Sequence, residues 1–158
     1  VVGSEEIIQL LDRDELEGVL AHELAHIKNR DVLTMTIGQS IAMIVGIAVQ
    51  WIVIFTGERS IANYFLGYLA GILAQMFVMI FVMAISRYRE YIADADAAEV
   101  LGDGDPLARA LEKISHGAQA SGNEVDDSVA ALCIFDDASN LLSTHPPTEE
   151  RISRLRSY

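Results

Sequence analysis

A single cysteine, two lysines and a shortage of positive charge set the first limits on this chain of 158 residues, which is about one domain in length. Cys133 alone excludes an intramolecular disulfide and fits a reducing compartment. It lies in "VAALCIF", where a small buried apolar side chain is the simpler role and a nucleophile the alternative. Lys28 and Lys113 stand beside nine arginines and against 23 acidic residues, for a net charge of −12. Phosphate binding needs a basic footprint, so nucleic acid is excluded as a partner. An acidic, lysine-poor surface suits a high-salt cytosol, where self-repulsion is screened; an ordinary acidic protein is the alternative. The sequence carries no signal peptide, internal repeat or low-complexity tract, and it opens on Val1, as expected of a fragment of a longer protein.

Charge is absent altogether from two long runs. Residues 32–57 and 60–86, of 26 and 27 residues, contain no Asp, Glu, Lys or Arg, and only Glu58 and Arg59 stand between them. A membrane-crossing helix needs about 20 apolar residues, so both runs are long enough. Two buried core helices are the alternative, but a core helix in so small a chain would show a polar face. The link "TGERS" permits only a tight hairpin turn. Lys28 and Arg30 precede the first run and Arg87 and Arg89 follow the second, which places both ends on the cytoplasmic side of a cell membrane. Gly38, Ala42 and Gly46, with Gly67 and Gly71, recur every four residues and are candidates for the inner seam.

The flanks hold the acidic charge. Three segments are therefore expected: residues 1–31, a transmembrane helical hairpin over 32–86, and residues 87–158. Apolar periodicity predicts helices over residues 5–11 and 14–30, the second capped by Asp12 or Asp14. "RYREYIADADAAEVL" (87–101) reads as a helix ended by "GDGD". Asp105 caps a helix with Pro106 at its first position, reaching about Ala120, and "SGNEVDDS" is a loop. "VAALCIF" fits a short strand or a helical turn. "STHPPTEERISRLRSY" reads as a Pro-Pro turn into a short helix with Thr148 as N-cap. The fold class is thus mainly α, with room for a minor β element.

The chemistry concentrates in "AHELAHIKNRD" (21–31). On a helix His22 and His26 lie one turn apart on nearly the same face, so both imidazoles can reach one metal ion. Glu23 lies to one side, off the metal but near a water bound to it, whose proton it can accept. A solvated helix face is the alternative, yet the neighbouring Ala21, Leu24, Ala25 and Ile27 imply a half-buried helix. A catalytic zinc also needs a third protein ligand and an open fourth position. Glu90 is the candidate, because a hairpin returns its helix to the side where the histidines lie. Asp94, four residues on, is placed to accept the second ring N–H of a ligand histidine. Surface pairing of Glu90 and Asp94 with Arg87 or Arg89 is the alternative.

These segments in this order, "LDRDELEGVLAHELAHIKNRDV", two apolar runs, "SRYREYIADADAA" and "STHPPTEERI", resemble the HtpX family of membrane zinc metalloproteases. That family is related to the CAAX prenyl proteases and belongs to the gluzincins. The resemblance implies a helical zincin-like domain interrupted by the hairpin, with one Zn2+ held by His22, His26 and Glu90. It makes Glu23 the general base and acid, and matches Asp94 to the second acidic position of the family. His145 also matches a family motif; it would stabilise the oxyanion of a tetrahedral intermediate or, alternatively, brace the Pro-Pro turn with Arg151. His116 is expected to face solvent.

The implied function is endopeptidase action on protein or peptide substrates, chiefly misfolded membrane proteins in a stress-response quality-control role, with the lipid bilayer as the other partner. A prenyl-protein endopeptidase and a non-catalytic zinc-stabilised membrane adaptor are the rival readings. Family members also carry two spans and a substrate-pairing strand ahead of the catalytic helix. Only "VVGS" precedes the first helix here, so a truncated catalytic portion is expected.

Overall fold

A computed structural model describes residues 9–120 and 146–158. Its helices are α1 (Arg13–Lys28), α2 (Asp31–Thr56), α3 (Ile61–Leu101), α4 (Asp105–Ala120) and α5 (Thr148–Leu155), and the described residues include no strand. Residues 9–10 are also helical. The remainder of the first expected helix, "SGNEVDDS", "VAALCIF" with Cys133, and His145 lie outside the described residues. The chain divides into two compact units, Asp31–Ser86 and the residues on either side of it.

Within the unit Asp31–Ser86, α2 and the first part of α3 form an antiparallel hairpin. Glycines set their spacing. Cβ atoms added at Gly46 and Gly71 would stand 2.9 and 2.7 Å from each other's carbonyl oxygen, so the two backbones touch. Gly38 faces Val82, Gly67 faces Ile54, and Ala42 is fully buried, which completes a seam of small residues along α2. At the turn, the Asn63 side-chain amide donates to the Ile54 carbonyl at 3.1 Å. Hydroxyls of Thr36, Ser40 and Thr56 each donate to the carbonyl four residues back, so these polar groups satisfy themselves along the helix. Only 11% of the most apolar window of either helix is buried, and Ile44, Ile52, Phe65 and Phe77 point outward. Such faces are costly in water and suited to lipid. Both helices are long and apolar enough to cross a membrane.

The other unit packs α1, residues 87–101 of α3, α4 and α5. Its core is narrow: Ala97 and Ala98 meet Leu107, Ala108 and Leu155, with Val19, Ala21, Leu111 and Ile152 around them. Small residues permit close approach here too, since a Cβ on Gly18 would lie 2.9 Å from the backbone nitrogen of Leu107. Asp12 is the N-cap residue of α1, and Glu15 returns its carboxylate to the Asp12 N–H at 2.9 Å. That carboxylate is 1% exposed and also takes Lys113 Nζ at 2.7 Å, which ties α1 to α4.

Several boundaries differ from expectation: α1 spans Arg13–Lys28 rather than 14–30, and Asp105, expected as a cap, is the first residue of α4. Residues 87–101 were expected as a separate helix, yet α3 runs unbroken for 41 residues. Its sequence holds no Gly or Pro between Gly71 and the left-handed Gly102 (φ 74°) that ends it. Thr148 is the first residue of α5 rather than its N-cap, because Pro147, at φ −55° and ψ 131°, already occupies the non-helical cap position.

Candidate metal centre

The buried stripe of α1 is Glu15, Gly18, His22 and Ala25, spaced three or four apart as a helix face requires. His22 therefore enters the interior, and His26, one turn on, is only partly covered. On α3 the matching stripe is Glu90, Ala93, Asp94 and Ala97, all buried, with alanines admitting α1 to close range. Asn29 fastens the two helices: its side-chain amide donates to Asp96 at 2.8 Å, and its carbonyl accepts from Arg89 at 2.6 Å.

Three side chains converge. The Nε2 atoms of His22 and His26 lie 3.0 Å apart, and each lies 3.6 Å from an oxygen of Glu90, Oε2 for His22 and Oε1 for His26. Tetrahedral coordination at about 2.0–2.1 Å places ligand atoms roughly 3.3–3.4 Å apart, so this triangle is within a few tenths of an ångström of a metal cradle. The donor set fits as well, with two imidazoles and a carboxylate offering lone pairs to one point. Glu23 is half-buried beside His22 and stands outside this cluster.

Behind the triangle, Asp94 Oδ1 lies 2.9 Å from His22 Nδ1. The distance is that of an ion pair, but Nδ1 makes no hydrogen bond of good geometry. Arg151 of α5 closes the arrangement. Its Nε and one terminal nitrogen grip the two oxygens of Asp94 at 2.8 and 2.7 Å, while the other reaches Glu90 Oε2 at 3.1 Å. The alternative of Glu90 and Asp94 as exposed charges does not hold: they are 7% and 3% exposed.

The electrostatics follow from this packing. Burial alone would lower the His22 pKa, but the carboxylates of Asp94 and Glu90 overcome it and raise it to about 9. For His26, burial and then the field of His22 outweigh the upward pull of Glu90 and Glu23, leaving it below the ordinary value. For Asp94 burial acts upward, and the Arg151 hydrogen bonds together with the close approach of His22 outweigh it, leaving the carboxyl below its usual range.

Of the residues singled out from the sequence, His22, His26 and Glu90 meet, Asp94 stands behind His22, Glu23 flanks the cluster, and His145 lies outside the described residues. His116 is exposed, its Nδ1 2.8 Å from the Glu112 carbonyl. Arg151 was missed as part of the site. One signal was available: Arg151, Ile152 and Leu155 share a face of α5, so the arginine had to enter the core.

A His-Glu-x-x-His helix completed by a glutamate from a second helix is the site architecture of gluzincin metallopeptidases. The chain belongs to peptidase family M48, whose family model matches residues 1–158. It is 50% identical to "Protease HtpX homolog" of Halobacterium salinarum, over 99% of this chain and 63% of the relative. Proteins of the same name from Desulforapulum autotrophicum and Salinibacter ruber are 42% and 41% identical, over 99% and 94% of this chain and 55% and 56% of their own lengths. The chain thus spans little more than half of these relatives, up to 63%. No solved structure matches it.

Proposed function

We propose that this chain is the catalytic portion of a membrane-embedded zinc endopeptidase that cleaves misfolded membrane proteins. The observation that carries the reading is the convergence of His22 Nε2, His26 Nε2 and the Glu90 carboxylate to within 3.0–3.6 Å of one another. In this reading residues 1–31 and 87–158 carry the catalytic machinery, and residues 32–86 anchor it in the membrane with the site on the cytoplasmic side. The positive charges at Lys28, Arg30, Arg87 and Arg89 support that orientation.

His22, His26 and Glu90 would hold a single zinc ion, which supplies Lewis acidity towards a scissile carbonyl and lowers the pKa of a water molecule. Glu23 takes the proton from the attacking water and returns it to the leaving amine. Asp94 keeps His22 in the tautomer whose Nε2 lone pair faces the site. His145 donates to the developing oxyanion.

Glu23→Gln is the test of the assigned base. The variant should retain zinc at the wild-type stoichiometry and lose cleavage of an unfolded model protein. Retained cleavage by the zinc-loaded variant would remove Glu23 from the mechanism. Zinc bound without any wild-type cleavage would favour a non-catalytic adaptor instead.

A further inference from the structure

The hydroxyls of Thr36, Ser40 and Thr56 return to their own helix, and Asn63 closes the turn of the hairpin. Gln39, Gln50 and Gln75 differ. Gln39 and Gln75 are exposed and Gln50 is half-buried, and none of their amides makes a hydrogen bond among the described residues. At about 1.5 Å of rise per residue, Gln75 lies about 2 Å from the middle of its apolar stretch (residues 61–86). Gln39 and Gln50 lie about 7 and about 10 Å, in opposite directions, from the middle of theirs (residues 31–56). All three fall inside a hydrocarbon core that reaches about 15 Å either side of the midplane. An amide without a partner at such depth is costly.

The three amides also share one side of the hairpin. Gly46 and Gln50 on α2 repeat the spacing of Gly71 and Gln75 on α3. A Cβ added at Gly46 would stand 3.0 Å from Gln75 Cβ, and one added at Gly71 would stand 3.0 Å from Gln50 Cβ. Each glutamine thus passes the other helix's glycine, as a local two-fold between antiparallel helices requires. That two-fold brings both side chains out on the same side. Gln39 precedes Gln50 by about three turns and points the same way. Exposed Tyr68 precedes Gln75 by about two turns and joins this face, whereas exposed Phe77 points to the other.

Copies inserted the same way in a bilayer are related by a rotation about the membrane normal, and such a rotation leaves depth unchanged. Every glutamine on the face therefore finds its own equivalent at its own depth. A primary amide is donor and acceptor at once, so the match is complementary at each level. Any other helix would need suitably placed polar groups at three separate depths. We infer that this face docks a second copy of the chain, the two hairpins associating within the bilayer through Gln75 near the midplane, with Gln39 and Gln50 on either side of it.

The inference rests on the hairpin spanning a membrane, and the experiment separates the two. The full chain is reconstituted in phosphatidylcholine vesicles, and insertion is read by resistance to alkaline carbonate. Association is read by energy transfer between copies labelled at Cys133 as added lipid dilutes them. Wild type should resist extraction and associate. Gln75→Met keeps length and flexibility but removes the amide, and should raise the dissociation constant by about 3- to 30-fold; Gln39→Met with Gln75→Met should raise it further. In a Cys133→Ser background, a flexible bismaleimide should join copies carrying Tyr68→Cys and spare those carrying Phe77→Cys. A carbonate-resistant wild type that stays monomeric would overturn the inference and leave the membrane hairpin standing. So would wild-type association in the double glutamine variant, or cross-linking through Phe77→Cys in preference to Tyr68→Cys. Wild-type protein extracted by carbonate would overturn both.

Discussion

His22 carries opposing demands. As a metal ligand it must be neutral, whereas its carboxylate neighbours hold its pKa at about 9 in the metal-free protein. Protons therefore compete with zinc throughout the neutral range, and zinc affinity should climb as the pH rises from 6.5 towards about 9. The stability of the metal-free protein should run the opposite way. A folded pKa raised above the unfolded value of 6.5 means that His22 contributes fully below that pH and loses its contribution as the pH rises through about 9. Thermal unfolding of chelator-treated protein should show this fall, and His22→Gln should flatten it. A wild-type curve with no decline over that window would contradict the assigned His22–carboxylate pairing. Glu90→Ala should abolish stoichiometric zinc binding, whereas unchanged stoichiometry would remove Glu90 from the ligand set. Glu15, far from this chemistry, makes its own demand. Its replacement by Ala leaves Lys113 and the Asp12 N–H without their shared acceptor, a loss of about 1–3 kcal/mol that urea unfolding of the detergent-solubilised chain would detect.

Among the helices, spacing in the sequence foretold faces better than it foretold partners. The His-Glu-x-x-His face of α1 and the small-residue seam of the hairpin were legible because both depend on local periodicity. The unbroken course of α3 was not, because a change from apolar to charged composition at Arg87 looks like a boundary while the backbone meets no breaker there. The grip of Arg151 on Asp94 and Glu90 and the burial of Glu15 were also hidden, since each depends on how helices dock rather than on any one helix. The hairpin seam yields a graded prediction. Gly71→Val would drive a side chain against the Gly46 carbonyl, 2.7 Å from the added Cβ, and should cost about 1–3 kcal/mol. At Gly38 the added Cβ meets only Val82 methyl groups at 3.2 Å, so Gly38→Ala should be far milder. Unfolding in mixed detergent would rank the two, and equal effects would refute the backbone contact at Gly46 and Gly71.

For the whole molecule, charge and hydrophobicity occupy different parts of the chain. The net charge of −12 lies outside the two apolar runs, and an excess of like charge destabilises a compact state until salt screens it. Thermal stability should therefore rise with added potassium chloride, and a melting temperature independent of salt would remove the case for a high-salt surface. The proposed orientation puts the Glu58–Arg59 turn on the face of the membrane opposite the zinc site. In a Cys133→Ser background, Arg59→Cys in intact cells should react with an impermeant thiol reagent, while a cysteine at Lys28 should not. The central claim is that His22, His26 and Glu90 hold a zinc on which peptide cleavage depends. The most direct measurement is hydrolysis of an unfolded protein by the chain in lipid vesicles, before chelation, after chelation, and after zinc is restored. The account predicts cleavage that disappears with the chelator and returns with zinc; cleavage that persists in the fully metal-depleted protein would contradict it.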